Sequence, residues 1–187
     1  LVLREQIDQM LGHQNLYEVR TPISDPLKFF GREAFANYVI EQLSEGWPVV
    51  LYGLRKMGKS SLLFFLRDRL PYPTAYVDAQ ASTDAYSLFD RALDKWQESL
   101  RVKAPNANWN RPALNNNNLQ ASFTAAVRGL LDVLEEQGTH DQLCLMIDEL
   151  ELIHPANQQS DVQNYLTIAR TLRGLVQEQW RRFSLVG

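Results

Sequence analysis

The expected architecture rests on one segment, Val49-Val-Leu-Tyr-Gly53-Leu-Arg-Lys-Met-Gly58-Lys59-Ser60-Ser61. Four apolar residues lead into the spacing G-x-x-x-x-G-K-S, and residues 59–70 that follow are rich in Leu and Phe. Glycines at this spacing let backbone N–H groups turn inward around an anion, and a following helix adds the positive end of its dipole. The segment predicts a phosphate-binding loop between a buried strand and a helix, the alternative being a plain glycine-containing turn.

Strands and helices alternate beyond this loop. The hydrophobic spacing predicts further strands at 74–80, 142–150 and 183–186, and helices at 35–43, 59–70, 84–100, 119–137 and 161–179. Strands separated by helices of this length form right-handed crossovers, which build a parallel sheet covered on both faces. The sequence therefore predicts the α/β class.

Two stretches interrupt the alternation. Residues 1–30 contain a short amphipathic stretch and a loop with Pro22 and Pro26, so we expect an N-terminal arm or linker before a nucleotide-binding domain at 31–187. Residues 103–118 are rich in Asn and include Pro105 and Pro112. That composition is typical of a surface insertion that can be mobile, and we assign it no chemistry.

Composition narrows the class of protein. A net charge of −3 over 187 residues, with 45% hydrophobic residues, is ordinary for a globular protein and disfavours nonspecific nucleic-acid binding as the main task. Apolar runs of at most five residues are too short to span a bilayer, so we expect no membrane association.

The single cysteine, Cys144, and the lack of a charged leader favour a cytoplasmic location. We interpret Cys144 as a core residue, and His13, His140 and His154 lack the spacing of a metal site.

Two acids at the end of a strand complete the candidate site. The run Leu143-Cys-Leu-Met-Ile147 leads into Asp148 and Glu149, as in a Walker B strand, although solvated acids at a strand end are the plainer interpretation. We expect Asp148 to hold Mg²⁺ together with Ser60, and Glu149 to act as the general base. Lys59 is the second expected catalytic residue, because its charge reaches the β- and γ-phosphates. The loop residues expected to bind the nucleotide are Gly53, Arg55, Lys56, Met57, Gly58, Lys59, Ser60 and Ser61.

A third motif adds a family resemblance. Phe29-Phe30-Gly31-Arg32-Glu33 precedes the helix at 35–43, and with the loop and Met146-Ile-Asp-Glu149 it resembles the nucleotide-binding domain of prokaryotic STAND ATPases and their AAA-like relatives over about residues 22–187. In that family the F-x-G-R-E segment lies over the adenine and ribose. The resemblance therefore implies nucleotide contacts for Phe30, Gly31, Arg32 and Glu33. Without it, the segment is a helix N-terminus with a favourably placed acid.

The resemblance also implies a fold, a three-layer P-loop NTPase of the ASCE type. In that fold the loop strand lies beside the strand at 183–186, followed by those at 142–150 and 74–80, with a fifth strand on the other side. Only four strands can be counted, so we expect the last strand and the helical lid to be missing, and ATP turnover by these residues alone to be slow. The family's polar sensor would fall at or beyond Val186-Gly187.

The implied function is an Mg²⁺-dependent, ATP-binding and hydrolysing switch domain of a larger signalling or regulatory protein. ATP or ADP and Mg²⁺ are the implied cofactors, and a homo-oligomer with effector or sensor domains is the implied assembly. One alternative is a DNA-associated ATPase of the origin-binding or helicase-loader type, which the net negative charge of the chain disfavours. The other is a scaffold that holds nucleotide without turnover. Arg170, Arg173, Arg181 and Arg182 could offer a guanidinium to a γ-phosphate, but a solvated face is the favoured interpretation.

Overall fold

The computed structural model describes residues 32–53, 57–138, 142–153 and 161–187. Their elements in chain order are α1 (Glu33–Ser44), α2 (Lys59–Arg69), β1 (Thr74–Asp78), α3 (Ala85–Lys103), α4 (Leu119–Glu136), β2 (Leu143–Asp148), α5 (Val162–Glu178) and β3 (Phe183–Val186). Short 3-10 turns occupy Ala79–Ala81, Asn116–Asn118 and Leu150–Ile153. The predicted helices are confirmed, and the predicted arm at 1–30 lies outside the described residues. None of the described helices is long and apolar enough to cross a membrane.

The three strands form one parallel sheet in the order β1-β2-β3. Residues 49–51 run along the free side of β3, where the Val49 N–H donates to the Leu185 carbonyl (2.8 Å) and the Leu51 N–H to the Gly187 carbonyl (2.6 Å). The predicted strand order is therefore observed, and the α/β class is confirmed. The segment 49–51 differs from its prediction because it contributes a single bridge, Val49 to Val186, rather than a strand.

The weak pairing of this segment has a physical reason. Among the described residues, the backbone hydrogen bonds of 49–51 go to β3 and its end alone. Val49 and Leu51 pack against a buried apolar cluster, whereas Val50 and Tyr52 are 52% and 92% exposed, so only one face of the segment is covered. Hydrogen bonds on both edges and packing on both faces keep a strand regular. Residues 49–51 are hydrogen-bonded on one edge and packed on one face only.

Helices cover both faces of the sheet. Neighbouring residues of β2 point to opposite faces, so they pack against different helices. Leu143, Leu145 and Ile147 pack into the larger apolar cluster with α3, α4 and α5, which we call the α3–α5 face. Cys144 and Met146 pack into a smaller cluster with α1 and α2, which we call the α1–α2 face. This alternation puts Asp148, the last residue of β2, on the α1–α2 face.

The stretch at 103–118 lies largely at the surface, as its composition predicted, but three of its side chains anchor it in the core. Ala104, Trp109 and Leu114 are buried in the α3–α5 face. Arg111 forms ion pairs with Asp90 and, at 2.7 Å, with Asp94, both on α3. Apolar side chains five residues apart match neither helical nor strand spacing, so the hydrophobic pattern of the sequence does not predict their burial.

Candidate functional site

The predicted phosphate loop enters α2 through a left-handed residue. Gly58 has φ +83° and is the N-cap of α2, a conformation that favours glycine. A Cβ at this position would also lie 3.0 Å from Nη1 of Arg32. The first helical hydrogen bond runs from the Leu62 N–H to the Gly58 carbonyl (3.0 Å), so the N–H groups of Lys59 and Ser60 lie at the positive end of the helix dipole. This geometry suits an anion.

Lys59 links the loop to the acidic end of β2. Its Nζ donates to the Gly53 carbonyl (3.2 Å) at the start of the loop. The same Nζ lies 3.6 Å from Oε1 of Glu151, in the turn that follows β2. The loop and the turn after β2 therefore lie close together, as the parallel topology predicted. Sequence reasoning missed Glu151, because a third acid, between Leu150 and Leu152, carries no motif.

Asp148 lies where the sequence predicted a metal-binding acid, at the carboxyl end of β2. Its side chain is buried, with 6% exposure. Oδ1 accepts a hydrogen bond from the Glu149 N–H (3.0 Å), and Oδ2 accepts one from the Tyr76 hydroxyl (2.7 Å). A buried carboxylate held through both oxygens has a defined orientation and keeps lone pairs for further ligands.

Tyr76 is a second residue at the candidate site that the sequence did not reveal, since its hydroxyl contacts Asp148. It lies on β1, where the register pairs it with Met146, and its ring packs 4.8 Å from the ring of Phe64 on α2. Burial, and then the hydrogen bond to Asp148, raise the pKa of Tyr76, so the phenol is a donor at neutral pH. The available signal was alternation along β1, which puts Tyr76 and Asp78 on one face, but only the register joins that face to Asp148.

Glu149, the predicted general base, turns sharply out of the strand. Its φ is +53°, a left-handed conformation that costs a non-glycine residue on the order of 1–3 kcal/mol. Its carbonyl accepts from the Leu152 N–H (2.9 Å), which closes the turn after β2. Strained residues of this kind concentrate at functional sites, and the turn gives Glu149 a direction different from that of Asp148.

Arg32 approaches the phosphate loop from the start of α1. Its Nη1 donates to the Met57 carbonyl within the loop. Glu33 is exposed in the first turn of α1, where an acid is favourable to the helix dipole. The structure thus brings Arg32 to the loop and leaves Glu33 at the helix end. Phe30, Gly31, Arg55 and Lys56, also predicted nucleotide contacts, lie outside the described residues.

Side chains at the start of α2 and the end of β2 carry oxygen donors of the kind that suits Mg²⁺. Ser60 lies half-buried in the first turn of α2, Ser61 beside it is buried, and Asp148 supplies a carboxylate. Mg²⁺ is typically held by one or two protein oxygens together with waters and substrate phosphates. In the described ranges no group of three or more His, Cys, Asp or Glu side chains could hold a metal by itself. His13, His140 and His154 are not among the described residues.

The remaining sequence candidates lie at the other end of the sheet, on the surface or in the core. Arg182 directly precedes β3, at the end of the sheet opposite Asp148, where its Nη2 donates to Glu135 (3.0 Å) and to the Leu131 carbonyl (3.1 Å). Arg170, Arg173 and Arg181 are exposed, in agreement with a solvated face. Cys144 is fully buried, and burial raises its pKa to about 12, so it is a core residue as predicted.

These elements define an α/β protein whose parallel sheet ends in a glycine-containing loop, a buried aspartate and a left-handed glutamate. A scan against protein-family models finds no match to this chain, and a search of curated proteins finds no significant relative.

Proposed function

We propose that this chain binds ATP or ADP with Mg²⁺ and hydrolyses ATP, as the nucleotide-dependent switch domain of a larger regulatory protein. The observation that carries the proposal is the position of Lys59. Its Nζ lies between the Gly53 carbonyl (3.2 Å) and Glu151 (3.6 Å), and so it joins the phosphate loop to the acidic end of β2. A cation held at an anion-binding loop, close to the strand end that carries Asp148, is available to the β- and γ-phosphates of a bound nucleotide.

The loop would bind the phosphates. Backbone N–H groups at the start of α2 and the Lys59 ammonium would replace part of the phosphate's hydration shell. Lys59 is 23% exposed and its present partners are a carbonyl and a solvent-exposed carboxylate, so exchanging them for phosphate oxygens costs little.

Ser60 and Asp148 would hold Mg²⁺, Asp148 through water molecules. When bound, Mg²⁺ neutralises the charge on the transferring phosphate. Asp148 is suited to this role because Tyr76 and the Glu149 N–H orient its carboxylate within the buried strand end. Glu149 would accept the proton of the attacking water, since a carboxylate beside the γ-phosphate is a competent base.

The sheet order supports the class of enzyme. One strand, β3, separates the segment 49–51 from β2, which is the order implied by the resemblance to P-loop NTPases of the ASCE type. The contact of Arg32 with the Met57 carbonyl supports its proposed place beside the nucleotide. The adenine preference, the switch role, the homo-oligomer and the effector or sensor domains rest on the resemblance.

The proposal is tested by calorimetry of the ATP analogue AMP-PNP with Mg²⁺. Lys59→Ala should weaken binding roughly 100-fold, because it removes charge-assisted contacts worth about 1.5–3 kcal/mol each. Lys95→Ala is the matched control, since Lys95 also pairs with a glutamate, Glu98 at 2.7 Å, but on the outer surface of α3. Equal affinity of Lys59→Ala and the parent protein would refute the proposed site.

A further inference from the structure

The contact between Tyr76 and Asp148 joins two strands at the candidate metal site. Tyr76 on β1 donates its hydroxyl proton to Oδ2 of Asp148 on β2 over 2.7 Å. The second oxygen, Oδ1, accepts from the backbone N–H of Glu149 over 3.0 Å. The terminal torsion of an aspartate is soft by itself, and two donors on different oxygens hold it in one orientation.

Tyr76 is itself held in place from two sides. Its backbone is paired with Met146 in the parallel register of β1 and β2. Its ring packs against Phe64, with the ring centroids 4.8 Å apart, and Phe64 belongs to α2, the helix that begins at the phosphate loop. The hydroxyl is therefore fixed relative to both the loop helix and the metal-binding strand.

We propose that Tyr76 is a positioning residue that orients the Asp148 carboxylate to receive the Mg²⁺ of a bound nucleotide. The inference rests on the proposed function, because it assigns Asp148 to that metal. Groups that donate hydrogen bonds to a metal-binding side chain without touching the metal fix the orientation of that side chain. Their loss typically lowers metal affinity by about 10- to 100-fold. A purely structural Tyr76 would instead stabilise the fold without changing how much Mg²⁺ improves nucleotide binding.

The test compares AMP-PNP affinity with Mg²⁺ and with EDTA in the parent protein and in Tyr76→Phe, which keeps the ring against Phe64. The factor by which Mg²⁺ strengthens binding should fall about tenfold, while the affinity in EDTA stays within about twofold. Tyr72→Phe is the matched control. Tyr72 is a buried tyrosine on the α1–α2 face, but it precedes β1 and so lies away from the carboxyl end of the sheet. It should leave the Mg²⁺ factor unchanged.

A second variant separates orientation from folding. In an Asp148→Asn background, Tyr76→Phe should cause no further loss of the Mg²⁺ factor, because the carboxylate through which it acts is gone. The inference is overturned if Tyr76→Phe retains the parental Mg²⁺ factor, weakens binding equally in EDTA, or acts additively with Asp148→Asn. A parent protein that binds no AMP-PNP in either condition would refute the proposed function, and this inference with it.

Discussion

The two faces of the sheet differ in the size of their apolar clusters and in the polar groups at their ends. On the α3–α5 face, Phe89 and Phe123 stack with their ring centroids 4.1 Å apart, and Trp96 is fully buried beside them. The α1–α2 face has a smaller apolar cluster and ends in the Tyr76–Asp148 pair and the partly exposed Lys59. Large buried aromatics contribute most to stability, whereas polar groups at a strand end contribute chemistry. Substitutions on the two faces should therefore affect different measurements.

The largest expected effect is on the α3–α5 face. Trp96→Ala should lower the free energy of unfolding by about 3–5 kcal/mol, because it leaves a large cavity and removes the hydrogen bond from Nε1 to the Cys144 carbonyl (3.0 Å). Urea denaturation measures this change. Tyr52→Ala, at a side chain that is 92% exposed, should change stability by no more than about 0.5 kcal/mol. An unchanged midpoint for Trp96→Ala would show that this face does not dominate stability.

Just beyond the carboxyl end of β2, a substitution should change catalysis alone. Glu149→Gln should slow single-turnover ATP hydrolysis by about 100-fold or more, because glutamine keeps the shape but cannot accept the proton. The free energy of unfolding should stay within about 0.5 kcal/mol, since the left-handed turn at φ +53° is equally accessible to glutamine. Hydrolysis at the parental rate would remove Glu149 from its proposed role.

The smallest effect concerns the ion pair between Lys59 and Glu151. Glu151 is 58% exposed, and its carboxylate competes with phosphate for Lys59 across 3.6 Å. Glu151→Gln should strengthen AMP-PNP binding about two- to fivefold, because exposed ion pairs are worth less than about 1 kcal/mol. Glu98→Gln, which removes the comparable partner of Lys95, should have no effect on binding. Weaker binding by Glu151→Gln would indicate that Glu151 assists the nucleotide.

The glycine-containing loop and the helices were predictable because their signals are local. Gly58 and Lys59 occur at a fixed spacing, and Val39 and Leu43 repeat with the period of a helix and are buried in α1. Phe35 and Tyr38 fit the same spacing but are 50% and 56% exposed. β3 was predicted with the bounds that the structure shows, Phe183–Val186. These features need only neighbouring residues, and so the order of the elements followed from the chain itself.

The segment at 103–118 shows where composition misleads. Asn-rich sequence with two prolines favours a loop, and Asn116–Asn118 are indeed exposed. Trp109 and Leu114 are buried nevertheless, because α3 and α4 leave an apolar surface that these two side chains cover. Irregular backbone can pack as closely as a helix when its apolar side chains meet such a surface, and no periodic pattern marks it beforehand.

The chain alone specified the glycine-containing loop, the acids that follow β2 and the alternation of strands and helices, since each depends on residues close together in sequence. Three contacts arise only from the tertiary structure. They are the hydrogen bond from Tyr76 to Asp148, the ion pair of Lys59 with Glu151, and the hydrogen bond from Arg32 to the Met57 carbonyl. Tyr76 and Asp148 are 72 residues apart in sequence, and the register of two parallel strands brings them within 2.7 Å. Register is set by how whole strands and helices pack, so contacts of this kind arise only in the assembled sheet.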